Sequence, residues 1–599
     1  MYKKLLINND IKKLVYIACI IWILCATFLI IRNWSDVANF ALSDTDDLMR
    51  YHQYSEWLKN GNWYLLPDPQ FNPQDGVIMH WSRVVDIPLA GVALLASIFT
   101  DWNTAFTISN VITPLLYLLI FLLIISFISY RLFGLETAKI AMLFPLLAPI
   151  SYRFLPGALD HHNLQFILLI SFCFSSVAKN KQNQNGQPLF IAISIVLSLW
   201  IGLENIYSFV AILILFVLYG LLNNLYYLEL AKKICLHSSI LSFAVLILNR
   251  PVNELFIPQY DALSFPFLLC FIAGSILCTL LIKFSIHFTN KIKKIAFLCV
   301  TGIALVLPII IIYPNLIKGG YADYPIFLKD NWLSFVSEAR PLTVTISQDI
   351  GDIGYFIAIL PAIISPLFLS DKKELNYWII YIALITNLLL AIFWQVRMFY
   401  TAMSVAIPLQ AYTCYALREK CSLPITKTII LFLSLPTFLL ISTKIIINFN
   451  DEDESKQIYD EKYNNSYYAT KKLLNKNNLE NKVILPPIDL GAAVIATTSN
   501  ASISAPYHRN IRGNSDTMRF YTSVNTDDAE KYLIRNKVDY ILIEKNFANV
   551  LADKYKYKEK EIMAQKLIDK KDIPDYLEFI DTNENSNIIL YKFIKPELK

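Results

Sequence analysis

Long apolar runs recur along the chain as far as about residue 447, and short polar segments separate them. Runs such as Leu14 to Ile31, Asn110 to Tyr130 and Ile295 to Tyr313 have the length of about 17–25 residues with which a helix crosses a bilayer. We count about 13 such runs. The pattern therefore predicts a mostly α-helical, polytopic membrane domain over 1–447.

Two longer polar segments interrupt this pattern, at 33–107 and 314–350, and we expect both on the outer face. In the first outer segment, 33–107, Asp46 and Asp47 open a helical pattern that runs to Lys59. The apolar stretch Ile87 to Phe99 is too short for a span, which favours a helix lying against the membrane.

The pattern changes after residue 447. Residues 448–465 are charged and polar and predict a linker. Beyond it, short apolar segments such as Val483 to Leu485, Tyr540 to Ile543 and Ile588 to Tyr591 indicate strands between helix-like stretches. We therefore expect a soluble α/β domain over 466–599.

Composition supports this division and adds an orientation. The 599 residues are 55% hydrophobic and 17% charged, against roughly 25% charged in soluble proteins. Lys3, Lys4, Lys12 and Lys13 precede the first span and predict a cytoplasmic N-terminus. An odd number of spans then puts the α/β domain on the outer face, which is the periplasm in the bacterial inner membrane that we expect.

The sequence lacks the common signatures of several enzyme classes. It has no Gly-Lys-Ser/Thr phosphate loop, no dinucleotide-binding glycine pattern after a strand, and no Gly-x-Ser-x-Gly element. The net charge of +5 is small, and no nucleic-acid partner is expected. A nucleotide-powered pump is disfavoured.

Acidic residues beside apolar runs are the strongest candidates for chemistry, because carboxylates are costly to keep there. Asp44, Asp46 and Asp47 follow the first span, Asp160 precedes the fourth, and Glu338 lies in the second outer segment. Carboxylates from separated loops can converge on Mg²⁺ or Mn²⁺. The alternative for the first group is a helix N-cap with acids in its first turn.

Basic and imidazole groups accompany these acids. Arg153 lies seven residues before Asp160, and His161 and His162 follow it directly. Arginine can bind phosphate oxygens through two hydrogen bonds. Arg397 stands at the outer end of a span and is a further candidate for phosphate binding. The alternative is that its side chain only extends to the membrane–water interface. Glu204, at a short outer turn, is expected to be a structural polar cap.

The order of the motifs along the chain resembles that in the catalytic subunit of oligosaccharyltransferases. The motifs are Asp46-Asp47-Leu48-Met49-Arg50, the Arg153–Asp160 turn and Val336-Ser337-Glu338, and the α/β domain follows them. These are C-type membrane glycosyltransferases that use polyprenyl-phosphate-linked sugars. The resemblance implies a single-subunit enzyme with a lipid-linked donor and an Mg²⁺ or Mn²⁺ ion.

The resemblance also implies roles for particular residues. The catalytic residues would be Asp46, Asp47, Asp160 and Glu338, and the metal ligands among them Asp46, Asp160 and Glu338. Arg153, Arg397 and His162 would bind the donor phosphate.

The acceptor side departs from the family. The Trp-Trp-Asp-Tyr-Gly signature of the family is represented by Pro486 to Gly491, in which only Asp489 and Gly491 match. Asp489 is thus the acceptor-side candidate. Three functions stay open: transfer to protein, single-sugar transfer to lipid or envelope glycan, and transport of a lipid-linked sugar.

Overall fold

A computed structural model describes residues 2–42, 44–177, 186–321, 323–369, 375–447, 466–555, 561–583 and 587–595. The predicted linker, 448–465, lies outside these residues. The described chain consists of a large helical part followed by a small α/β part, so the predicted fold class is confirmed.

The helical part begins with a long apolar helix and continues through a series of helices of unequal length. They are α1 (Tyr2–Ala38), α2 (Thr45–Asn60), α3 (Arg83–Ser97), α4 (Trp102–Phe133), α5 (Leu135–Ala141), α6 (His162–Ser176), α7 (Gln187–Ile201), α8 (Ile206–Leu222), α9 (Leu225–Asn249), α10 (Phe265–Phe284), α11 (Lys291–Ile312), α12 (Asn315–Lys318), α13 (Ile326–Asn331), α14 (Leu342–Gln348), α15 (Ile353–Ile363), α16 (Leu375–Phe393), α17 (Met398–Glu419), α18 (Pro424–Leu433) and α19 (Pro436–Ile447).

Among the described residues, seven helices are long and apolar enough to cross a membrane, and α18 with α19, bent by 71°, would make an eighth span. The other predicted spans coincide with shorter, broken or less apolar helices, so the count of about 13 stays a prediction. The segment expected at 136–152 is broken because Pro145 and Pro149 lead α5 into two 3-10 turns, Phe144–Leu147 and Pro149–Phe154.

The helices differ in how deeply they are packed. Helix α17 is buried along most of its length and lies in the main apolar core, with α4, α6 and α16 around it. Helix α11 has no fully buried residue along 291–312; Phe297 and Leu298 pack partly against the core, and much of the remaining apolar surface is free to face lipid. Arg397 stands at the N-terminal end of the packed α17.

The first outer segment is built on two helices joined by a buried charge pair. Arg50 of α2 donates to Asp86 of α3 at 3.1 Å, and both side chains are fully buried. Helix α3 turns one face inward and exposes Leu94 and Leu95 on the other. The helix predicted over Ile87 to Phe99 is thus present as α3, and its location against the membrane stays a prediction.

The α/β part contains a mixed five-stranded sheet in the order β2-β1-β3-β5-β4. Strands β2, β1 and β3 are parallel, whereas the pairs β3–β5 and β5–β4 are antiparallel. The three predicted strands are β1, β3 and β5. The elements of this part are α20 (Ser466–Lys476), β1 (Val483–Leu485), α21 (Gly491–Thr497), β2 (Ala501–Ser502), α22 (Ile511–Thr522), α23 (Thr526–Arg535), β3 (Tyr540–Glu544), α24 (Lys545–Tyr555), α25 (Met563–Asp569), β4 (Leu577–Asn583) and β5 (Ile588–Phe593).

The first outer segment covers the β2 edge of this sheet. The backbone N–H of Asn72 donates to Ser502 at 2.7 Å, and the backbone N–H of Ser502 donates to Gln70 at 2.8 Å. Helix α21 packs on α2, and Ala492 and Ile495 share an apolar cluster with residues of α2. The α/β part therefore lies directly against the helix that carries Asp46 and Asp47.

Candidate active site

The site begins at the N-terminus of α2, where three aspartates have three different surroundings. Asp44 is the N-cap, and its side chain accepts from the backbone N–H of Asp46 at 3.1 Å. Asp47 accepts from the backbone N–H groups of Leu159 and Asp160 at 2.7 and 2.9 Å. The capping alternative thus holds for Asp44, while Asp47 fixes the distant loop that carries Asp160.

That loop turns sharply just before Asp160. Gly157 has φ +90°, and a Cβ there would lie 2.8 Å from Leu42 Cδ2, so only glycine fits. The turn brings Arg153 and Asp160 to the N-terminal end of α2.

Arg153 links two of the acidic segments. Its Nη1 donates to Asp44 at 3.1 Å and its Nη2 donates to Glu338 at 2.8 Å. The guanidinium lies 4.6 Å from the ring centre of Tyr152 and 5.9 Å from that of Tyr400. Its Nε is buried without a hydrogen-bond partner among the described residues. Arg153 is therefore held in place through both Nη atoms, and its Nε–H is left unpaired within the described chain.

Asp160, His161 and His162 form a compact group, called here the Asp160 group, whose ligand atoms all lie within 4.8 Å of one another. Asp160 Oδ1 accepts from the backbone N–H of His161 at 2.7 Å and contacts His161 Nδ1 at 2.5 Å. Asp160 Oδ2 is buried and makes no hydrogen bond within the described chain, and His162 Nε2 lies 3.2 Å from it.

Glu204, from the turn between α7 and α8, completes this group. Its Oε1 lies 3.0 Å from His161 Nε2 and 3.6 Å from His162 Nδ1. Burial alone would lower the pKa of His161, but the carboxylates of Asp160 and Glu204 raise it to about 10. Burial would raise the pKa of Asp160, but His161 and His162 hold it well below its usual range.

The two histidines are therefore in different states. Burial has the largest effect on the pKa of His162, and together with the charge of Arg153 it outweighs the raising effect of Asp160 and lowers this pKa to about 4. At neutral pH the ring of His162 is uncharged, which is the form that binds a metal ion. His161 instead carries a positive charge between two carboxylates.

Arg397 precedes α17 and lies close enough to Glu204 to help lower the pKa of that carboxyl to about 2, after the larger effects of His161 and His162 have overcome burial. The Nε of Arg397 donates to Gln395 at 2.9 Å.

A small pocket brings Arg397, Glu204, His162 and Arg153 together. It is lined by Arg153, His162, Phe166, Glu204, Arg397, Met398, Tyr400 and Thr401. The three residues predicted to bind phosphate thus line one pocket.

Asp46 and Glu338 both lie close enough to Asp160 for its charge to raise their pKa values. Burial, followed by the negative charges of Asp160 and Asp44, raises the pKa of Asp46 well above its ordinary value. Burial also raises the pKa of Glu338, against the lowering effect of Arg153. The tight cluster of possible ligand atoms is nevertheless Asp160 with the two histidines. The metal roles of Asp46 and Glu338 stay predictions.

The donor atoms present fit a divalent cation. Asp160 Oδ2 and His162 Nε2 are 3.2 Å apart, close to the spacing of two ligands that share one ion with bonds of about 2.1 Å. The nitrogens of His161 contact carboxylate oxygens at 2.5 and 3.0 Å, whereas those of His162 lie farther from carboxylate oxygens, at 3.2 and 3.6 Å, so His162 is the more available imidazole. A set with imidazole and carboxylate suits Mn²⁺ or Zn²⁺ better than Mg²⁺.

Sequence reasoning misses the part that Glu204 plays. Its local pattern indicates a structural cap, because nothing in that pattern connects it to Asp160, 44 positions earlier. The one available signal is that both residues lie at the outer ends of neighbouring predicted spans.

Asp489 lies at the start of a 3-10 turn, Ile488–Leu490, just before α21, and it is exposed. Burial and the charges of Asp489 and Asp44 raise the pKa of Tyr467, which places this phenol near both carboxylates. The acceptor-side candidate is thus on the surface that faces α2, outside the Asp160 group.

Known structures provide a comparison for this fold. No protein-family model matches the sequence, and no curated protein matches it. The apo oligosaccharyltransferase of Archaeoglobus fulgidus superposes with a TM-score of 0.67 at 13% identity, over 94% of this chain and 79% of that chain.

Two further structures from the same archaeon are similar. The oligosaccharyltransferase AglB, in complex with an inhibitory peptide and a dolichol-phosphate, gives a TM-score of 0.62 at 14% identity, over 84% of this chain and 66% of that chain, so this chain spans just under two thirds of it. An oligosaccharyltransferase complex with Zn and sulfate gives 0.56 at 15% identity, over 88% and 67%. The chain therefore has the same fold as these structures, with a membrane domain and a C-terminal α/β domain.

Proposed function

We propose that this protein is an integral-membrane glycosyltransferase, which moves a sugar or oligosaccharide from a polyprenyl-(di)phosphate carrier to an acceptor on the outer face. The observation that carries the proposal is the meeting of Asp47, Arg153, Asp160 and Glu338, from separate segments, at one end of an oligosaccharyltransferase-like fold. The AglB structure with a dolichol-phosphate supports the same donor class here.

Asp160 Oδ2 and His162 Nε2 would hold a divalent cation. Bound there, the cation would act as a Lewis acid that neutralises charge developing on the leaving phosphate. Of the two ions expected from the sequence, Mn²⁺ suits the imidazole better than Mg²⁺, and the Zn complex of the archaeal enzyme supports Zn²⁺ as a further choice.

Arg397 and Arg153 would bind the donor phosphate from the pocket that both line. A guanidinium held in place before the reaction stabilises negative charge without reorganising during it. Arg153 is fixed by Asp44 and Glu338, so it supplies position as well as charge. Arg397 keeps its Nη donors for the phosphate, since only its Nε has a side-chain hydrogen bond among those described.

Asp46 would orient the incoming nucleophile. Its raised pKa makes it a stronger base than an ordinary aspartate, which suits a group that polarises a hydroxyl or amide. Direct displacement would invert the configuration at the anomeric carbon. Asp489, exposed beside α21, is our candidate for contact with the acceptor.

A single-sugar transferase acting on lipid or envelope glycan is the second candidate. The absence of both tryptophans and the tyrosine around Asp489 favours it over protein glycosylation. The Asp160 group and Arg153 would act in the same way in both reactions, and only the acceptor would differ.

The protein would lie in a bacterial inner membrane as a single-subunit enzyme, with its N-terminus in the cytoplasm and the α/β domain in the periplasm. The four lysines in the first part of α1, which precede the first predicted span, support this orientation. In a chain whose nine cysteines are replaced by alanine, Lys531→Cys on the exposed face of α23 should react with a membrane-impermeant maleimide in intact cells. Lys427 lies near the start of α18, in the basic stretch Arg418 to Lys427 that the sequence predicts to be cytoplasmic. Lys427→Cys should therefore react only after the membrane is permeabilised, and the reverse result would overturn the orientation.

The test of the function is a comparison of glycans in cells that carry the chain and cells that lack it, by mass spectrometry of protein-linked and lipid-linked fractions. Loss of glycopeptides in the deletion supports an oligosaccharyltransferase. Loss confined to lipid or envelope glycan supports the single-sugar enzyme. Identical glycans in both strains would contradict the proposal.

A further inference from the structure

Glu204 is a largely buried carboxylate at the candidate site to which the proposed reaction gives no role. It comes from the turn between α7 and α8, far in sequence from the acids of the first outer segment. Its side chain is only 16% exposed. A carboxylate in such a place is costly unless it has charged or hydrogen-bonding partners.

The turn that carries Glu204 is fixed by a dense set of hydrogen bonds. Gln165 of α6 donates to the carbonyls of Ser198 and Gly202 at 3.0 and 3.1 Å. Asn205 donates to both oxygens of Gln165, at 2.9 Å to its carbonyl and 2.8 Å to its side chain. Because the side chains of Gln165, Ser198 and Asn205 are buried, the turn has little freedom to move.

The close fit continues to the imidazole. A Cβ added at Gly202 would lie 3.2 Å from Gln165 Nε2 and 3.6 Å from His161 Nε2. The turn therefore packs directly on His161, and Glu204 approaches that ring from a rigid support.

A continuous chain of contacts then leads from Glu204 to Asp160. Glu204 Oε1 lies 3.0 Å from His161 Nε2, and His161 Nδ1 lies 2.5 Å from Asp160 Oδ1. An imidazole that lies between two carboxylates can bond to one through each ring nitrogen. This occupies Oδ1 of Asp160 and leaves Oδ2 as the oxygen that faces His162.

We infer that Glu204 is a positioning residue, which acts through His161 to hold Asp160 with Oδ2 directed to the cation site beside His162. The inference rests on the proposed function, in that it assumes the cation site there. Hydrogen-bonded partners of metal ligands set ligand orientation, and their loss typically weakens metal binding by about 10–100-fold.

The experiment measures Mn²⁺ affinity of the full-length protein in detergent by electron paramagnetic resonance of free Mn²⁺. We expect Glu204→Gln to weaken Mn²⁺ binding by about 10–100-fold. Glu229→Gln, on α9 beside Lys232, is the matched control and should leave the affinity unchanged. Asp160→Asn is the reference for loss of a ligand and should weaken binding most.

A double mutant tests the route through His161. If Glu204 acts through this ring, its substitution should matter little once the ring is gone. The Mn²⁺ affinity of the double mutant His161→Asn/Glu204→Gln should then differ by less than about threefold from that of His161→Asn alone, because the effects of linked residues are not additive. An equal loss in both backgrounds would overturn the inferred route.

The outcomes separate this inference from the proposed function. If Asp160→Asn keeps full Mn²⁺ affinity, the cation site itself fails. If Asp160→Asn loses binding and Glu204→Gln does not, the cation site stands and the role of Glu204 is wrong. Thermal unfolding with EDTA checks folding of each variant. Should Glu204→Gln unfold, Glu204→Asp, which keeps the charge and shortens the reach, must show the same weakening.

Discussion

The Asp160 group and the segment 505–510 of the α/β domain are both polar, largely buried and next to α2, yet their bonding differs. Around the first, Asp160 Oδ2 and Arg153 Nε are buried without hydrogen bonds within the described chain. In the second, the four successive side chains from Tyr507 to Asn510 all have polar partners.

The partners of the second region join the two domains. Arg509 donates through Nε and Nη2 to Asp261 at 2.8 and 3.0 Å, and His508 Nε2 lies 2.8 Å from the same carboxylate. Burial would raise the pKa of Asp261, but these hydrogen bonds hold it far below its usual range. Neighbouring buried polar atoms that are left unpaired call for a partner such as a ligand, whereas saturated polar side chains are typical of a structural contact. We therefore interpret 505–510 as a docking segment.

Among the variants that test this difference between the two regions, Arg509→Ala is expected to have the largest effect, and the effect is on stability. Removing the guanidinium leaves the Asp261 carboxylate with His508 alone, and loss of one partner of a mostly buried pair costs about 2–4 kcal/mol. We expect a lower thermal midpoint and faster proteolysis of the α/β domain, with Mn²⁺ affinity unchanged.

Arg512→Ala is the control for that experiment, because the Arg512–Asp75 pair is exposed and should contribute below about 1 kcal/mol. If Arg509→Ala were as mild as Arg512→Ala, the segment would not be a docking element.

A smaller effect, on activity alone, is expected from Arg397→Ala. Loss of a phosphate-binding guanidinium should lower kcat/KM for the lipid-linked donor by about 10–100-fold, or about 1.4–2.7 kcal/mol of transition-state stabilisation. Donor titrations of wild type and variant in the same lipid measure this. An unchanged kcat/KM would contradict the phosphate-binding role and favour the alternative, in which the Arg397 side chain only extends to the membrane–water interface.

Asp489→Asn tests whether the acceptor is bound by the α/β domain at all. Asp489 is exposed and outside the Asp160 group, so we expect a loss of about three- to tenfold in kcat/KM for the acceptor, with donor KM unchanged. A change in donor KM with no change for the acceptor would contradict the acceptor-side assignment.

The smallest effect is expected from Asp46→Asn, and its sign is unusual. The pKa of Asp46 is raised in the folded protein, so its contribution to folding stability is complete below the ordinary aspartate pKa and is lost as pH rises through the raised value. In EDTA at pH 7, the amide should therefore raise the thermal midpoint by about 1–3 °C. The difference should vanish at a pH below the ordinary aspartate pKa, about 3.9. A lower midpoint at pH 7 would show that the carboxylate stabilises the metal-free fold.

The sequence predicts the local elements better than their contacts. Helix α2 is expected from Asp46 to Lys59 and runs from Thr45 to Asn60, because an aspartate cap and first-turn acids are local signals. Strand β4 is missed, because polar residues such as Glu578 and Asp581 interrupt its apolar pattern and it pairs only with β5, at the edge of the sheet.

In the candidate site, too, the sequence predicts individual residues better than the contacts between them. Asp46, Asp160 and Glu338 can be selected from the sequence because acids beside apolar runs are rare. That Asp47 binds the backbone of the Asp160 loop, and that Glu204 reaches His161, depends on long-range packing of α2 and of the α7–α8 turn. No spacing in the sequence encodes those contacts.

The most direct test of the account is a transfer assay with purified wild type and Asp160→Asn, using a polyprenyl-diphosphate-linked sugar and an acceptor fraction identified by the glycan comparison. We predict that Asp160→Asn loses at least about 100-fold in rate while its thermal midpoint in EDTA is within a few degrees of wild type. Transfer by the variant at the wild-type rate would contradict the assignment of Asp160 and of the reaction centre around it.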